Sequence, residues 1–355
     1  MADVELDTLS VRFGDVVAVD EVSLAIGDGD FIVLLGPSGC GKTTTLRCVA
    51  GLEQATSGRI RFDGDSVERL SPREREVAMV FQFVSLYPNM SVRENIAFPL
   101  RARGERGASV IDKVNRMAKV FDLSSVLDKR PRALPPGTWQ KASLARAVVR
   151  EPKVLLLDEP LSAIDEQFRE EMRWELRHIQ KELGMTTIHV THDQREAMSL
   201  ADRVILMRDG GIVQEGSPTE LYDQPEDLFA AHFIGSPGMN LIPATVEGAI
   251  VKIDDQTLVL PDRAKDVLRS NKVENVTIGA RPHDTLLAAG GESGLSVAVL
   301  SVLSNGRENY ADFKIGGIPC KGLIADGYAL DERASVTFNP SALLLFDGTG
   351  RRIGF

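Results

Sequence analysis

The sequence predicts an α/β layer fold followed by a small all-β domain. From residue 1 to about residue 235, short β-type runs alternate with helical patterns, which is typical of a sheet covered by helices. Beyond the turn-rich segment Ser236-Pro-Gly-Met239, short β-type runs are separated by Gly, Asp and Asn, as in small barrels and sandwiches. We therefore predict two domains, residues 1–235 and 236–355, and a chain of 355 residues agrees with two cores.

Apolar runs of strand length predict the sheet of the first domain: Phe31–Leu35, Val154–Leu157, Thr186–Thr191 and Val204–Met207. The clearest helix is predicted over residues 166–183, where apolar residues recur at spacings of three and four: Phe168, Met172, Leu176, Ile179 and Leu183. A stretch rich in Arg and Lys, about residues 88–150, predicts a helical subdomain. In the second domain, strands are predicted in four runs: Ala244–Ile253, Val273–Ala280, Val297–Leu303 and Val336–Phe338.

Composition and charge exclude several classes of protein. The net charge of −10 argues against a general nucleic-acid binder, which needs a basic face. No apolar run approaches the roughly 20 residues that span a bilayer, and the acidic start MADVELDTLS has no secretory pattern. The three cysteines, Cys40, Cys48 and Cys320, form no disulfide framework, which agrees with a reducing compartment. We therefore expect a cytoplasmic protein that reaches any membrane through partners.

The sharpest local motif is a glycine-rich loop placed after a predicted strand and before a helical run: Gly36, Pro37, Ser38, Gly39, Cys40, Gly41, Lys42, Thr43 and Thr44. It satisfies the pattern GxxxxGK[ST], in which backbone N–H groups and the start of the following helix cradle phosphates. The lysine reaches the β- and γ-phosphates and the first threonine hydroxyl binds Mg²⁺. The motif predicts a P-loop NTPase site for ATP with Mg²⁺, and a chance glycine-rich turn is the alternative.

A second acidic motif ends another predicted strand. Val154–Leu157 is followed by Asp158 and Glu159. In a phosphate-loop NTPase the first acid holds the Mg²⁺ shell, and a carboxylate facing the γ-phosphate orients the attacking water. The alternative is that both acids cap the turn that follows. Beside the phosphate loop, we interpret Asp158 as a metal ligand and Glu159 as the catalytic carboxylate.

Three ordered stretches carry the most specific pattern: VFQFVSLYPNMSVRENIAF, LLLDEPLSAID and HVTHDQREAMSLADRV. Two more, SPGMNLIP and IGARPHD, lie in the second predicted domain. With the phosphate loop they resemble the ATP-binding-cassette (ABC) transporter ATPases, in the carbohydrate-uptake branch of the maltose and glycerol-type importers. The resemblance runs from about residue 3 to the end. It implies an ABC ATPase core with a helical subdomain, followed by an OB-like (TOBE) regulatory domain.

The same resemblance implies roles for single residues. Phe13 would stack on adenine, and a buried core position is its alternative. Gln82 would contact Mg²⁺ and the attacking water, and would lead into a groove at residues 83–92 that receives a helix of a membrane subunit. His192 would contact the γ-phosphate, and Asp165 would lie at a dimer interface. The implied catalytic residues are therefore Lys42, Gln82, Glu159 and His192, and the implied Mg²⁺ ligands are Thr43, Gln82 and Asp158.

The sequence departs from the family at the helix that contacts ATP in the partner subunit. The family motif Leu-Ser-Gly-Gly-Gln is replaced by Leu134-Pro-Pro-Gly-Thr138. Pro135 lacks the serine hydroxyl, and Pro136 lacks a backbone N–H. Each loss removes a donor to developing charge. The departure favours pairing with a second, different ATPase subunit, although a homodimer stays open.

The resemblance implies an ATP-hydrolysing subunit of an importer for a carbohydrate or a polyol such as glycerol. Its implied partners are two integral-membrane permease subunits, a second ATPase subunit and, indirectly, an external substrate-binding protein, with no nucleic acid. Its implied location is the cytoplasmic face of the inner membrane, as a peripheral protein. Two alternatives stay open, a soluble ABC ATPase without a transport role and a regulatory switch module.

Overall fold

A computed structural model describes residues 2–82, 86–162, 164–248, 250–270, 273–289, 294–304, 306, 308–325 and 333–354. The chain divides into two compact units, Met1–Thr219 and Glu220–Phe355. This division lies ahead of the boundary predicted at residue 236, which stays a prediction. Within the described residues, no helix is both long enough and apolar enough to span a bilayer.

The described residues of the first unit form two sheets. Its strands are β1 (Val4–Phe13), β2 (Val16–Ile26), β3 (Phe31–Leu35), β4 (Ser57–Phe62), β5 (Asp65–Ser66), β6 (Val77–Val80), β7 (Val154–Asp158), β8 (Thr186–Thr191), β9 (Arg203–Arg208) and β10 (Gly211–Gly216). One sheet has the order β2-β1-β4-β5 and is antiparallel, and the other has the order β10-β9-β3-β8-β7-β6. The second sheet is parallel except for β10, and β3, β7 and β8 are buried along their whole length. The predicted α/β layer fold is confirmed.

The helices of this unit are α1 (Lys42–Ala50), α2 (Val92–Ala102), α3 (Ala108–Val120), α4 (Pro136–Val148), α5 (Glu166–Leu183) and α6 (Gln194–Leu200), with 3₁₀ turns at Ser124–Val126 and Pro131–Ala133. A capping box of Ser91 and Glu94 starts α2, which packs against α3 and α4 within the predicted helical subdomain. Helix α5 has the predicted bounds. Its Phe168, however, is 40% exposed, because the first turn of α5 lies beside the start of α4 rather than on the sheet.

The second unit is mainly β. In its described part it contains α8 (Leu228–Phe233), α9 (Asp262–Ser270), a 3₁₀ turn at Pro282–Asp284 and eleven strands. Helix α7 (Pro218–Asp223) spans the division. The strands are β11 (Asn240–Glu247), β12 (Ile250–Ile253), β13 (Gln256–Leu258), β14 (Asn275–Ala280), β15 (Thr285–Ala289), β16 (Leu295–Ser304), β17 (Asn309–Ile315), β18 (Ile318–Ile324), β19 (Arg333–Phe338), β20 (Leu344–Phe346) and β21 (Arg352–Ile353). A six-stranded sheet has the order β13-β12-β11-β14-β20-β21, and a closed barrel has the order β15-β18-β17-β16-β19.

The predicted all-β character of the C-terminal region is confirmed, with one change of detail. The run Ala244–Ile253 was expected to form one strand, whereas the structure has the antiparallel pair β11 and β12. Gly248 adopts φ +69 between them. A left-handed glycine reverses the chain there without a steric penalty, so an apolar run that passes through it folds into a hairpin.

Arg281, in the IGARPHD stretch, anchors the helical segment at the start of the second unit. Its buried guanidinium donates to the backbone oxygens of Ala231, Ile234 and Tyr222, and it lies 4.0 Å from the centroid of the Tyr222 ring. Removal from water lowers the pKa of Arg281, because burial disfavours its charge. Three carbonyl acceptors and an aromatic face compensate this charge, and they tie helix α8 to the β domain.

A second buried arginine holds the helix that follows the phosphate loop. Arg75 donates to the backbone oxygens of Cys48 (2.6 Å) and Val49 (2.9 Å) at the C-terminal end of α1, and to that of Leu70 (3.1 Å). The last carbonyls of a helix lack N–H partners in a further turn. Here the oxygen of Cys48 accepts from the N–H of Gly51 at 3.1 Å as well as from Arg75, and the buried cation stabilises this negative end of the helix. The end of α1 is therefore fixed from outside the helix.

We predict that Arg75→Met lowers the stability of the first unit by about 1.5–3 kcal/mol, because buried carbonyls lose a charged donor. Urea unfolding followed by tryptophan fluorescence and circular dichroism measures the change. The control is Arg116→Met, since Arg116 pairs with Glu151 on the exposed surface, and a change within about 0.5 kcal/mol is expected there. Equal stability of the two variants would contradict a capping role for Arg75.

Candidate nucleotide site

The phosphate loop lies at the carboxyl edge of the parallel sheet, between the end of β3 and the start of α1. A Cβ at Gly36 would lie 2.3 Å from the backbone oxygen of Met207, and one at Gly41 would lie 2.4 Å from that of Ala18. Gly41 also adopts φ +99. Glycine is thus required at both positions, because neighbouring strands press directly on the loop backbone. Ser38 and Gly39 form the exposed tip of the loop, and Cys40 is buried.

Backbone carbonyl groups of the phosphate loop hold the side chain of Lys42 over the loop. Its buried ammonium donates to the backbone oxygens of Gly36 and Pro37, both at 2.8 Å. Thr43 and Thr44, at the start of α1, are half-buried. The positive charge therefore stands at the helix start, where the N–H groups and the helix dipole already favour an anion.

Thr43 and Asp158 bring two oxygen ligands together. The Thr43 hydroxyl donates to Asp158 Oδ1 at 3.0 Å, and Asp158 is buried at the end of β7. A hydroxyl and a carboxylate are hard donors of the kind that Mg²⁺ prefers, and Mg²⁺ on nucleotides is usually held by one or two such side chains. The donor set therefore fits Mg²⁺ bound together with a nucleotide.

Three of the four predicted catalytic side chains, Gln82, Glu159 and His192, meet at the Glu159 carboxylate. Its Oε1 lies 3.1 Å from His192 Nδ1, and its Oε2 lies 3.5 Å from Gln82 Nε2. Its backbone N–H donates to the oxygen of Val190 at 3.0 Å. The backbone of Glu159 is left-handed, with φ +47, so the chain turns sharply as it leaves β7. His192 follows β8 directly and its ring is mostly exposed, whereas the carboxylate of Glu159 is partly shielded.

Phe13 lies apart from these residues, at the end of β1. It pairs with Val16 across the β1–β2 turn, and β2 then passes the phosphate loop at Ala18. Its ring is 49% exposed, so it is not a core side chain. The exposed ring is available to a planar base, and stacking on adenine stays a prediction.

The departure from the family motif lies at the start of α4. Pro135 is the N-cap residue and Pro136 is the first helical residue, and no side chain caps this end. Both prolines are exposed, while Gly137 and Thr138 are half-buried. The helix therefore begins where the sequence predicted, but with fewer donors than an ordinary helix start.

The predicted docking groove at residues 83–92 falls partly outside the described residues, since residues 83–85 are not described. Next to them, a groove of about 560 Å³ opens between Gln82, Leu86, Trp139 and Ile164. Its wall is formed mainly by apolar side chains, and the prolines of the lining are Pro88, Pro131 and Pro136, the last at the start of α4.

Two charged residues that the sequence analysis did not identify connect the segments around Glu159. Arg169 Nη2 donates to the backbone oxygen of Ile164 at 2.9 Å, and its Nη1 lies 3.6 Å from Asp193 Oδ2. The two residues are far apart in the sequence and form no local motif. The available signal was indirect, namely that Arg169 follows Asp165 by one helical turn and that Asp193 adjoins His192.

A buried pair lies behind His192. His189 Nε2 is 3.0 Å from Glu196 Oε2, and both side chains are buried. Burial alone would raise the pKa of Glu196, but hydrogen bonds from His189 and Thr191, with the charge of Arg169, outweigh it, so the pKa is lowered. A carboxylate therefore supports the end of β8 and the start of α6.

Two family models match the chain. The model described as "ABC transporter" matches residues 19–162, and the model described as "MalK OB fold domain" matches residues 235–285. The chain is 46% identical over 285 residues to the trehalose import ATP-binding protein SugC of Mycobacterium tuberculosis. The aligned residues cover 79% of this chain and 72% of SugC. It is 40% identical over 356 residues to the sulfoquinovosyl glycerol transport ATP-binding protein SmoE of Agrobacterium fabrum, with 99% of each chain covered.

A solved structure is also similar. It is cbiO1 of Clostridium perfringens, described as part of the ABC transporter complex cbiONQ. The TM-score is 0.58 at 28% identity, and the match covers 61% of this chain and 89% of that one. The match confirms the predicted ATPase fold.

We predict that Glu196→Gln lowers stability at pH 7 by about 1–3 kcal/mol, because the buried His189 loses a charged partner. A carboxyl whose pKa is lowered by folding stabilises the fold above its unfolded pKa and loses this effect as the pH falls through its folded pKa. The difference from the unmodified chain should therefore shrink below about pH 4.5. Thermal melts between pH 3.5 and pH 7 measure it, with Glu182→Gln, on an exposed part of α5, as the control. A difference that stays constant over this range would contradict the assignment.

Proposed function

Because the chain belongs to the ABC transporter family, we propose that it binds and hydrolyses ATP as a subunit of an importer for a carbohydrate or a polyol. One observation carries the proposal, the meeting of Glu159 with His192 and Gln82 beside the phosphate loop. The substrate class rests on the relatives SugC and SmoE, whose names concern trehalose and sulfoquinovosyl glycerol. Both compounds are carbohydrate derivatives.

In the proposed reaction each side chain has a distinct task. The phosphate loop and Lys42 bind the β- and γ-phosphates, and Thr43 and Asp158 hold Mg²⁺, which neutralises phosphate charge. Glu159 orients the attacking water through its carboxylate, in line with the γ-phosphate. His192 and Gln82 hold that carboxylate from two sides, so it needs little reorganisation when water and phosphate arrive.

The proposed partners follow from the family and from the surface of the helical subdomain. We assign the groove between Gln82, Leu86, Trp139 and Ile164 to a helix of a permease subunit, because it begins at a catalytic residue and is mainly apolar. Two permease subunits and an external substrate-binding protein would complete the importer. The subunit would then lie at the cytoplasmic face of the membrane as a peripheral protein.

The start of α4 supports a pairing with a second, different ATPase subunit. In the closed dimer of the family, this helix start contacts the nucleotide held by the partner. Here Pro135 and Pro136 provide neither a hydroxyl nor an N–H at that end. A partner with the intact Ser-Gly-Gly motif would complete the site of this chain, whereas this chain would complete the partner's site poorly.

We predict that Glu159→Gln keeps Mg²⁺-dependent ATP affinity but lowers hydrolysis by about 10²-fold or more, because the amide cannot act as the base. Lys42→Ala should instead weaken ATP binding by at least about tenfold, because the phosphates lose a buried cation. Equilibrium binding and steady-state phosphate release on the assembled importer separate the two effects. Glu151→Gln, on the exposed surface, is the control. Normal turnover in the Glu159 variant would refute the proposed mechanism.

We predict that Pro135→Ser/Pro136→Gly raises ATP hydrolysis about tenfold or more when this chain is the only ATPase subunit in the assembly. The variant restores a hydroxyl and an N–H, and the loss of one such donor typically lowers rates about 10²-fold or more. The gain must vanish when Glu159→Gln is added, which shows that it occurs at the same site. If the unmodified chain alone already turns over as fast as a mixed assembly, the paired-subunit proposal is wrong.

A further inference from the structure

Arg169 makes contacts that hold two loops at once. It lies in the first turn of α5, and its Nη2 donates to the backbone oxygen of Ile164 at 2.9 Å. Its Nη1 lies 3.1 Å from Glu166 Oε2 and 3.6 Å from Asp193 Oδ2. The side chain is only 21% exposed. One guanidinium therefore connects the segment before α5 with the segment after β8.

The Asp193 end of this link is fixed by several groups. The Asp193 side chain is 17% exposed, and its Oδ1 accepts from the backbone N–H of Arg195 at 2.8 Å as the N-cap of α6. Its own backbone N–H donates to Thr191 Oγ1 at 3.0 Å, and Arg173 Nη1 lies 4.0 Å from its Oδ2. Because Asp193 directly follows His192, a fixed Asp193 restricts where the His192 backbone can lie.

Ile164, the other residue that Arg169 contacts, is connected to the catalytic residue Glu159 by a turn of the chain. The backbone oxygen of Glu159 accepts from Ser162 Oγ at 2.9 Å and from Ser162 N–H at 3.3 Å, so the chain turns tightly from Glu159 to Ser162. The N–H of Ile164 donates to the backbone oxygen of Leu161 at 3.2 Å, which ties Ile164 to this turn. Glu159 in turn lies 3.1 Å from His192. The contacts thus form a closed ring, which runs from Glu159 through His192 and Asp193 to Arg169, and through Ile164 back to Glu159.

We propose that Arg169 is a positioning residue for ATP hydrolysis, which holds Ile164 and the His192-Asp193 segment at a fixed separation. The inference rests on the proposed function, since it concerns the same site. Arg169 contacts Ile164, Glu166 and Asp193, and it acts on the reaction through Glu159 and His192. A planar guanidinium reaches two acceptors in different directions, whereas a lysine ammonium is a single point charge on a flexible stem. A displacement of about 1 Å at a catalytic group lowers rates by up to about 10²-fold.

The same helix provides a matched control. Arg177, two turns further along α5, is 18% exposed and pairs with Asp202. Asp202 accepts from the backbone N–H of Phe31 at 2.9 Å, at the first residue of β3 and so at the opposite edge of the sheet. Arg177→Lys therefore breaks a partly buried ion pair on α5, in this case a bidentate one, without touching the ring around Glu159.

The test compares Arg169→Lys, Arg169→Gln and Arg177→Lys in the fully assembled importer. We expect both Arg169 variants to lower kcat about tenfold or more with KM for ATP within about twofold, and Arg177→Lys to keep both within about twofold. Mg²⁺-dependent ATP affinity and thermal midpoints are measured alongside. They should show that the Arg169 variants still bind nucleotide and are no less stable than Arg177→Lys.

A double-mutant cycle with Asp193→Asn tests the link itself, since asparagine keeps the N-cap but removes the charge. The combined variant should be no slower than the slower single variant, because both remove one interaction. Full kcat in Arg169→Lys, an equal loss in Arg177→Lys, or additive losses in the cycle would overturn the inference while leaving the proposed function intact. If the unmodified chain shows no Mg²⁺-dependent ATP affinity, the proposed function itself fails.

Discussion

The hydrogen-bond register of three neighbouring parallel strands is the constraint on which the site depends. In β7 and β8, Asp158 is opposite Val190, and in β3 and β8, Leu35 is opposite Thr191. The residues that follow these pairs are the phosphate loop, Glu159 and His192, so all three leave the sheet at the same edge. A shift of one residue in either pair would move a catalytic group by about 3.3 Å and turn its side chain to the other face.

At this edge of the sheet, each charged side chain is stabilised by its own hydrogen-bond partner, and the charges do not depend on one strong ion pair. The Lys42 ammonium donates to carbonyl oxygens of the phosphate loop, and the Asp158 carboxylate accepts from the Thr43 hydroxyl. The Glu159 carboxylate lies within hydrogen-bond distance of the His192 ring. Such a site is organised before the nucleotide binds, which reduces the ordering that binding would otherwise require.

The sequence predicted the groups of this site that lie within continuous motifs. In a glycine-rich loop, or in a strand that ends in two acids, the residues that bind phosphate or metal are neighbours in the sequence and can be recognised there. It also predicted the main strands and the all-β character of the second unit. It did not reveal Arg169 with Asp193, because that link depends on how α5 packs beside α6. The exposure of Phe168 was missed for a similar reason. Periodicity shows which residues share a helix face, but it does not show how far along the helix the elements that pack against this face extend. The residues around Gly248 read as one strand, because an isolated glycine in an apolar run is compatible with either a strand or a turn.

The paired prolines at the start of α4 have a consequence for energy use. If only one of the two nucleotides enclosed between paired subunits is turned over efficiently, each closure and reopening consumes a single ATP, and the other nucleotide acts as a persistent part of the interface. The free energy available for concentrating the solute would then be that of one hydrolysis event, which limits the steepest gradient that the importer can maintain. The identity of two residues at the start of α4 would thereby set how many ATP molecules the importer consumes in each transport cycle.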